Sequence, residues 1–463
     1  MTHLQKIILF SVGLGTFVGG LNTSIVNTVL PEIQNALQLP LTSVQWIVTI
    51  YPLILCGFVL PMGRLGDLIG HKKVFLIGLF LLSLFSLGCG LAENLTVILI
   101  SRALQALGGA MIMAAGPSIL TASFPNEQRG KVLGLSATVI YIGVSLGPVL
   151  GGWLTTWLGW SSIFYLYIPF TILAMYFGMR FIPQTEQKNH IKFDFMGGTL
   201  FLVSITLLLL SLNQGPVSHW SPLWLVVLIL SLIFAVLFIW AELKSSVPML
   251  QLSLLKNQVI SLAILANVSN YIAMFFFYSL IPLYLVQAMH LPLSVVGTIL
   301  AIAPLSMLVV AGFSGNISDR IGTRIPTTVG MGIVTLGLLI IPLFHSKISI
   351  PLIMISCVLT GVGSGFFTSP NNSAVYGATP TTMRGIASGL TGTARYLGQA
   401  VGVTLASVLF EYFQKLPLAA DANHITFAFF LTILVGAGIG LIGTVLSFFT
   451  VPKKAKIIAS NTR

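Results

Sequence analysis

Fourteen apolar runs, nearly all of about twenty residues, succeed one another with short polar segments between them, at 7–30, 43–62, 74–92, 95–120, 131–154, 161–182, 195–213, 222–241, 258–286, 294–314, 326–344, 350–377, 385–411 and 425–450. A helix rises about 1.5 Å per residue, so roughly 20 apolar residues cross the hydrocarbon core of a bilayer. Barrel strands would be half as long and would alternate in character. A water-facing surface is excluded by the same pattern, because 56% of the 463 residues are apolar and 7% are charged. The chain therefore reads as an all-α integral membrane protein of fourteen transmembrane helices.

The formal net charge of +12 raises the question of nucleic acid, but the basic residues are scattered singly between spans rather than gathered on one face. Topology explains them better. Eighteen of the 22 Lys and Arg side chains fall on the side of the termini, two (Lys347 and Lys415) opposite, and two (Arg102 and Arg395) inside spans. Positive charge marks the cytoplasmic face. The expectation is thus a multi-pass protein of the bacterial inner or plasma membrane with both termini cytoplasmic, partnered by lipid and by no nucleic acid. The first run is too long for a signal peptide and lacks a small-residue cleavage site, so it is read as a retained span. Cys56, Cys89 and Cys357 lie inside apolar runs and suggest neither a metal site nor a disulfide framework. No metal and no cofactor is expected.

The most informative polar segment is the loop read between the second and third runs, from Gly63 to Lys73, with Gly63, Arg64, Asp67, Gly70 and Lys72 at its defining positions. A weaker copy runs from Gly315 to Arg324 and keeps a glycine, Asp319 four residues on, Arg320 and Gly322. Glycines let helix ends come close, the carboxylate can bond helix N-terminal amides or a neighbouring arginine, and the basic residues hold the segment at the cytoplasmic face. Such a device latches helices together. The pair resembles the corresponding loops in the two halves of the major facilitator superfamily. In this chain the copies follow spans two and ten, eight apart where two adjacent six-span halves would give six. The fourteen-span arrangement resembles the drug:proton antiporter branch of that superfamily, related to multidrug efflux. It implies a six-helix half over 1–194, two inserted helices over 195–241, a cytoplasmic linker over 242–257 and a second half over 258–463.

Further strings carry the same resemblance. In the first span Leu21 to Pro31 resembles the signature of the branch, with Asn22 where an aspartate is usual and Asn27 five residues on. An aspartate there could take a proton, whereas an asparagine only hydrogen-bonds. In the fourth span Arg102, Gln105 and the glycines at 108 and 109 resemble the family pattern R-x-x-Q-G-x-G, with Ala106 at the first glycine position. An intramembrane arginine costs roughly 2.5–3.5 kcal/mol on insertion scales, so it is paired or functional. In the fifth span Gly143, Gly147 and Gly151 share a helical face, with Pro148 and Gly152 completing a G-x-x-x-G-P-x-x-G-G string that resembles the hinge motif of exporters. Arg395 lies near the middle of the thirteenth span, and Glu411 about 24 Å further along it. Tyr271, Met274, Phe275, Phe276, Phe277 and Tyr278 in the ninth span are candidates to line a cavity.

The resemblance implies a secondary active exporter of small organic molecules, working by alternating access, coupled to protons and monomeric. An importer or facilitator of a small, even anionic, metabolite is the second reading, and a non-transporting sensor or scaffold the third. An enzyme is not expected, because no His/carboxylate cluster or nucleophile constellation lies at an interface and no nucleotide-binding glycine loop is present. Depth counting puts Asn22 about 12 Å and Arg102 about 10 Å from the outer surface. The expectation is that they face each other and that uncompensated arginine charge favours anionic, zwitterionic or neutral substrates over cations. Any coupled proton is expected on Glu411 or Asp67, or on the substrate's own carboxylate.

Overall fold

The computed structural model describes residues 1–184, 195–218, 220–245, 248, 252–343, 349–380, 383–415 and 424–450. These form long helices: α1 (His3–Leu37), α2 (Leu41–Ile69, interrupted at Gln45), α3 (His71–Gly90), α4 (Leu95–Ser123), α5 (Asn126–Leu158), α6 (Ser162–Phe181, interrupted at Leu166) and α7 (Phe195–Val217). There follow α8 (Pro222–Lys244), α9 (Gln258–Gln287), α10 (Leu293–Ile321), α11 (Arg324–Leu343), α12 (Ile350–Ala378), α13 (Arg384–Gln414) and α14 (His424–Phe449). Among the described residues there is no strand. Their starts use side-chain caps where the sequence offers them: Thr2 and Gln5 form a capping box on α1, and Asn94 accepts from the Val97 amide at 3.0 Å on α4.

Thirteen of these helices are long and apolar enough to cross a membrane. The exception is α13, whose composition is diluted by glycine, serine, threonine and Arg395. Packing explains it. A side chain added at Gly398 or Gly402 would press into the α9 backbone at Val268 or Ile272, so small residues here exchange lipophilicity for close helix approach.

The helices pack in a repeating scheme. α1 lies against α5 and α6, α2 against α4, and α3 against α4 and α6; eight helices later α9 lies against α13 and α14, α10 against α12, and α11 against α12 and α14. The two groups meet through α1 with α9, α2 with α13 and α5 with α10. α7 and α8 pack on each other, and α7 rests on α2 and α13. On α8 the large residues Leu223, Val226, Ile229, Leu232, Ile233 and Val236 are exposed, as suits a helix facing lipid.

One expectation is corrected here. The segment from Gly63 to Lys73 is not a loop: Gly63 through Ile69 complete α2, Gly70 alone leaves the helix at φ 96°, and α3 begins at His71. The second copy does the same, with Gly322 at φ 86° between α10 and α11. Polar residues read as a loop because they interrupt hydropathy, but nothing in Arg64, Asp67 or Lys72 opposes helix, and positive φ is required at one residue per copy, where glycine stands.

Candidate functional site

Arg102 is the largest fully buried side chain and is 1% exposed. α4 carries it into a crevice against α1, α2 and α3. Its Nε donates to the Ile47 carbonyl at 3.0 Å, beside the break in α2, and its Nη1 donates to Gln105 Oε1 at 2.6 Å and to Asn22 Oδ1. Gln105 passes the chain on to Ser86 Oγ at 2.7 Å, and the guanidinium carbon lies 4.7 Å from the Tyr51 ring centroid. Asn22 and Arg102 are thus in contact, and Gln105 is part of the same network. No carboxylate among the described residues forms an ion pair with Arg102.

A larger cavity of about 970 Å³, counting the space at its mouth, lies where the two groups of helices meet. α1 contributes Gly19, Thr23, Ser24 and Asn27; α5 contributes Ile140, Tyr141 and Pro148; α9 contributes Tyr271, Met274, Phe275 and Tyr278; α13 contributes Arg395, Tyr396 and Gln399. The wall is mostly apolar and aromatic with a few polar groups, the composition of a small-molecule site. A side crevice shares Thr23, Asn27, Phe275 and Gln399 with it and reaches Asn22, Tyr51 and Arg102.

Arg395 is half-buried and is the formally charged residue among the described lining of the large cavity. Its Nη2 donates to the Tyr396 hydroxyl at 2.7 Å, and its guanidinium lies 4.5 Å from the Tyr396 ring centroid. The guanidinium also hydrogen-bonds the Tyr271 hydroxyl, and among the described residues its Nε–H has no partner. Asn27 donates to the Thr23 carbonyl at 3.1 Å while its buried Oδ1 accepts nothing. Along α9 the helical period sorts the aromatic run: Tyr271, Met274, Phe275 and Tyr278 line the cavity, whereas Phe276 and Phe277 are fully buried in packing.

The cavity is sealed at the end away from the termini. A Cβ at Gly152 would collide with the Leu293 carbonyl, and one at Gly297 with that of Pro148, so α5 and α10 touch backbone to backbone. Glu411 sits there too: its Oε1 accepts from the Thr42 amide at 2.7 Å, joining α13 to the start of α2, and Gln287 reaches Gln34 at 3.4 Å between α9 and α1. Gly143, Gly147 and Gly151 face α1 at Phe17, Ser24 and Ile25, where any side chain would collide.

At the opposite end Asp67 lies 3.2 Å from His71 Nε2 across the turn at Gly70, and Lys72 Nζ donates to the Met179 carbonyl at 2.8 Å. A Cβ at Gly66 would strike the His71 ring. Gly63 and Arg64 lie on the last turns of α2; Arg320 is exposed on the last turn of α10, and the Asp319 side chain lies outside the described residues. This segment lies at the end of α2, and neither Asp67 nor Glu411 lines the cavity. Tyr141, Tyr396 and Gln399 were not singled out by sequence. The spacing of Gln399 one turn after Arg395, with Tyr396 between, is the signal that marks that face.

The family model described as Major Facilitator Superfamily matches residues 12–403 and 263–462. The chain is 30% identical to the riboflavin transporter RibZ of Clostridioides difficile, over 98% of this chain and 99% of that one. It is also 30% identical to the multidrug resistance protein Stp of Mycobacterium tuberculosis, over 88% of this chain and 76% of the other. Among solved structures, a POT family transporter in complex with a thioalcohol-conjugated peptide has a TM-score of 0.71 at 16% identity, covering 96% of both chains. A bacterial homolog of the human lysosomal transporter Spinster, in an inward-facing and unoccupied conformation, also has a TM-score of 0.71, at 12% identity and with 97% of both chains covered. A cavity between two groups of six helices with a repeating packing scheme, the paired glycine turns and these likenesses lead to one conclusion: the chain belongs to the Major Facilitator Superfamily and is a multi-pass secondary transporter of small molecules.

Proposed function

We propose that the protein is an exporter that carries small organic molecules out of the cell by alternating access, with coupling to protons. The observation that carries this reading is the cavity lined from both groups of helices, with α5 and α10 touching backbone to backbone at the end away from the termini. In such an architecture the two groups rock about a central site. We take residues 1–194 and 258–463 as the two halves and 195–241 as an inserted pair. The outward direction rests on the Gly143 to Gly152 string of α5 and on the likeness to Stp. The segment around Asp67 and its counterpart at Asp319 and Arg320 would latch the cytoplasmic ends when the cavity faces outward. The likeness to a riboflavin transporter along nearly the full length of both chains favours a second reading, inward movement of a planar metabolite.

Transport in proteoliposomes decides between them. Export is supported if a pH gradient drives accumulation of substrate against its own gradient in the outward sense, and overturned if the same vesicles only take up riboflavin or a related heterocycle inward. Orientation is tested with single cysteines at His71 and Thr323 in a background without the native cysteines. They should resist a membrane-impermeant thiol reagent in intact cells and react in inverted vesicles.

A further inference from the structure

We propose that Arg395 and the aromatic walls around it form the recognition site for the negatively charged group of a planar aromatic acid. The proposal rests on the transporter reading for its purpose but not on its direction or coupling.

Three observations converge. First, Arg395 carries an uncompensated charge: among the described residues no carboxylate forms an ion pair with it, and its Nε–H lacks a partner. A guanidinium in an apolar setting is costly unless an acceptor meets it, and its planar fork matches a carboxylate better than any other side chain does. Second, it stands on the wall of the cavity where the two helix groups meet, whereas Arg102 is 1% exposed. Third, the surrounding wall is aromatic on both sides of the interface between helix groups. Tyr141 comes from α5, Tyr271 and Phe275 from α9, and Tyr396 from α13 next to the arginine itself. Flat rings stack on such walls, and the contact is worth about 0.5–1.5 kcal/mol per ring beyond the area it buries. Asn27, whose buried Oδ1 accepts nothing, offers an acceptor on the α1 side for a donor on the ligand's ring system. A ligand held by Arg395 on one side and by Tyr141 on the other would bridge the two helix groups, which is where a carried molecule must sit.

The test is equilibrium binding to the full-length protein in detergent, using four probes: naphthoate, its neutral counterpart naphthamide, naphthylmethylammonium, and cyclohexanecarboxylate, which keeps the charge without the aromatic face. Naphthoate should bind about tenfold or more tightly than naphthamide, the scale of one charge-assisted hydrogen bond in place of a neutral one. The other two should bind more weakly than naphthoate. Arg395→Gln should remove the preference for naphthoate over naphthamide, with a melting temperature close to that of the unmodified protein showing that the variant is folded. Gln399→Glu places a carboxylate one turn from an intact Arg395. It should abolish the preference for acid and raise affinity for the ammonium probe. Retention of the naphthoate preference in both variants, or absence of naphthoate binding by the unmodified protein, overturns the proposal. Because binding is read without a membrane, the outcome is independent of whether transport proves outward, inward or proton-coupled.

Discussion

The two intramembrane arginines share a residue type and, among the described residues, the lack of a carboxylate partner, yet their surroundings differ in kind. Arg102 donates to a backbone carbonyl, a glutamine and an asparagine, lies beside the Tyr51 ring and is closed off from solvent. Arg395 donates to the hydroxyl of its neighbour Tyr396 and borders a cavity. The first joins α4 to α1 and α2 by distributing one charge over several neutral acceptors. The second keeps donors in reserve. A buried charge is thus a structural element or a recognition element according to how many acceptors the fold brings to it, a quantity that sequence position alone does not reveal.

The contrast is most directly broken at Arg102. Arg102→Ala strands Asn22 Oδ1, Gln105 Oε1 and the Ile47 carbonyl, and each buried acceptor left unmatched costs about 1–3 kcal/mol. A loss of several kcal/mol should appear as a large fall in melting temperature and in monodisperse yield from detergent. Unchanged melting would place Arg102 with Arg395 as a ligand-facing residue.

Gly147→Leu probes the scaffold that both arginines depend on. Its side chain meets Ser24 and the backbone at Ile25, so overpacking should cost about 1–3 kcal/mol and prise α5 from α1. Transport at matched membrane abundance should be lost. Wild-type rates would show that this close approach is dispensable.

Arg395→Gln should cost less than Arg102→Ala, about 1–2 kcal/mol, since Arg395 loses its hydrogen bonds to the Tyr396 and Tyr271 hydroxyls, both beside a cavity. Strong destabilisation would erase the distinction between the two sites.

Asn22→Asp sharpens it. A carboxylate beside Arg102 strengthens an existing hydrogen bond, and after the desolvation of the new charge the gain in stability should be about 1 kcal/mol or less. Substrate charge preference should stay where Arg395 sets it. A shift toward cations, the outcome expected from sequence alone, would move the recognition site into the side crevice lined by Asn22 and Arg102.

The smallest effect is expected at Glu411→Gln, which keeps an acceptor for the Thr42 amide and replaces a charged one with a neutral one. The closed end of the cavity should loosen by roughly 0.5–1 kcal/mol. Faster labelling of a cysteine at Thr28 from that end measures it, and an unchanged rate would show that the backbone contacts of Gly152 and Gly297 carry the seal.

Much of the architecture was legible in the chain because its causes are local or repetitive. Membrane spans follow from the length of apolar runs, since a bilayer has one thickness. The paired segments at Asp67 and Asp319 and the glycine string of α5 are short patterns with a direct backbone consequence. Along α9 the period of a helix is enough to separate the cavity face from the packed face once the cavity's direction is known. The helical state of the Gly63 to Lys73 segment was missed because hydropathy registers polarity, not backbone conformation. α13 escapes a hydropathy criterion for the opposite reason: its small residues answer to the α9 backbone.

By itself, then, the sequence determined that this chain spans a bilayer many times in two related arrays and that two arginines lie within the apolar region. Only the tertiary structure decided which arginine is spent on holding helices together and which faces a cavity, and that Glu411 seals an end rather than lining the centre. The reason is that hydrogen-bond satisfaction is a property of neighbours from distant helices. Depth along the helices anticipated Asn22, and the i, i+3 spacing anticipated Gln105, but the Ile47 carbonyl beside the break in α2 meets the same guanidinium only in the folded chain.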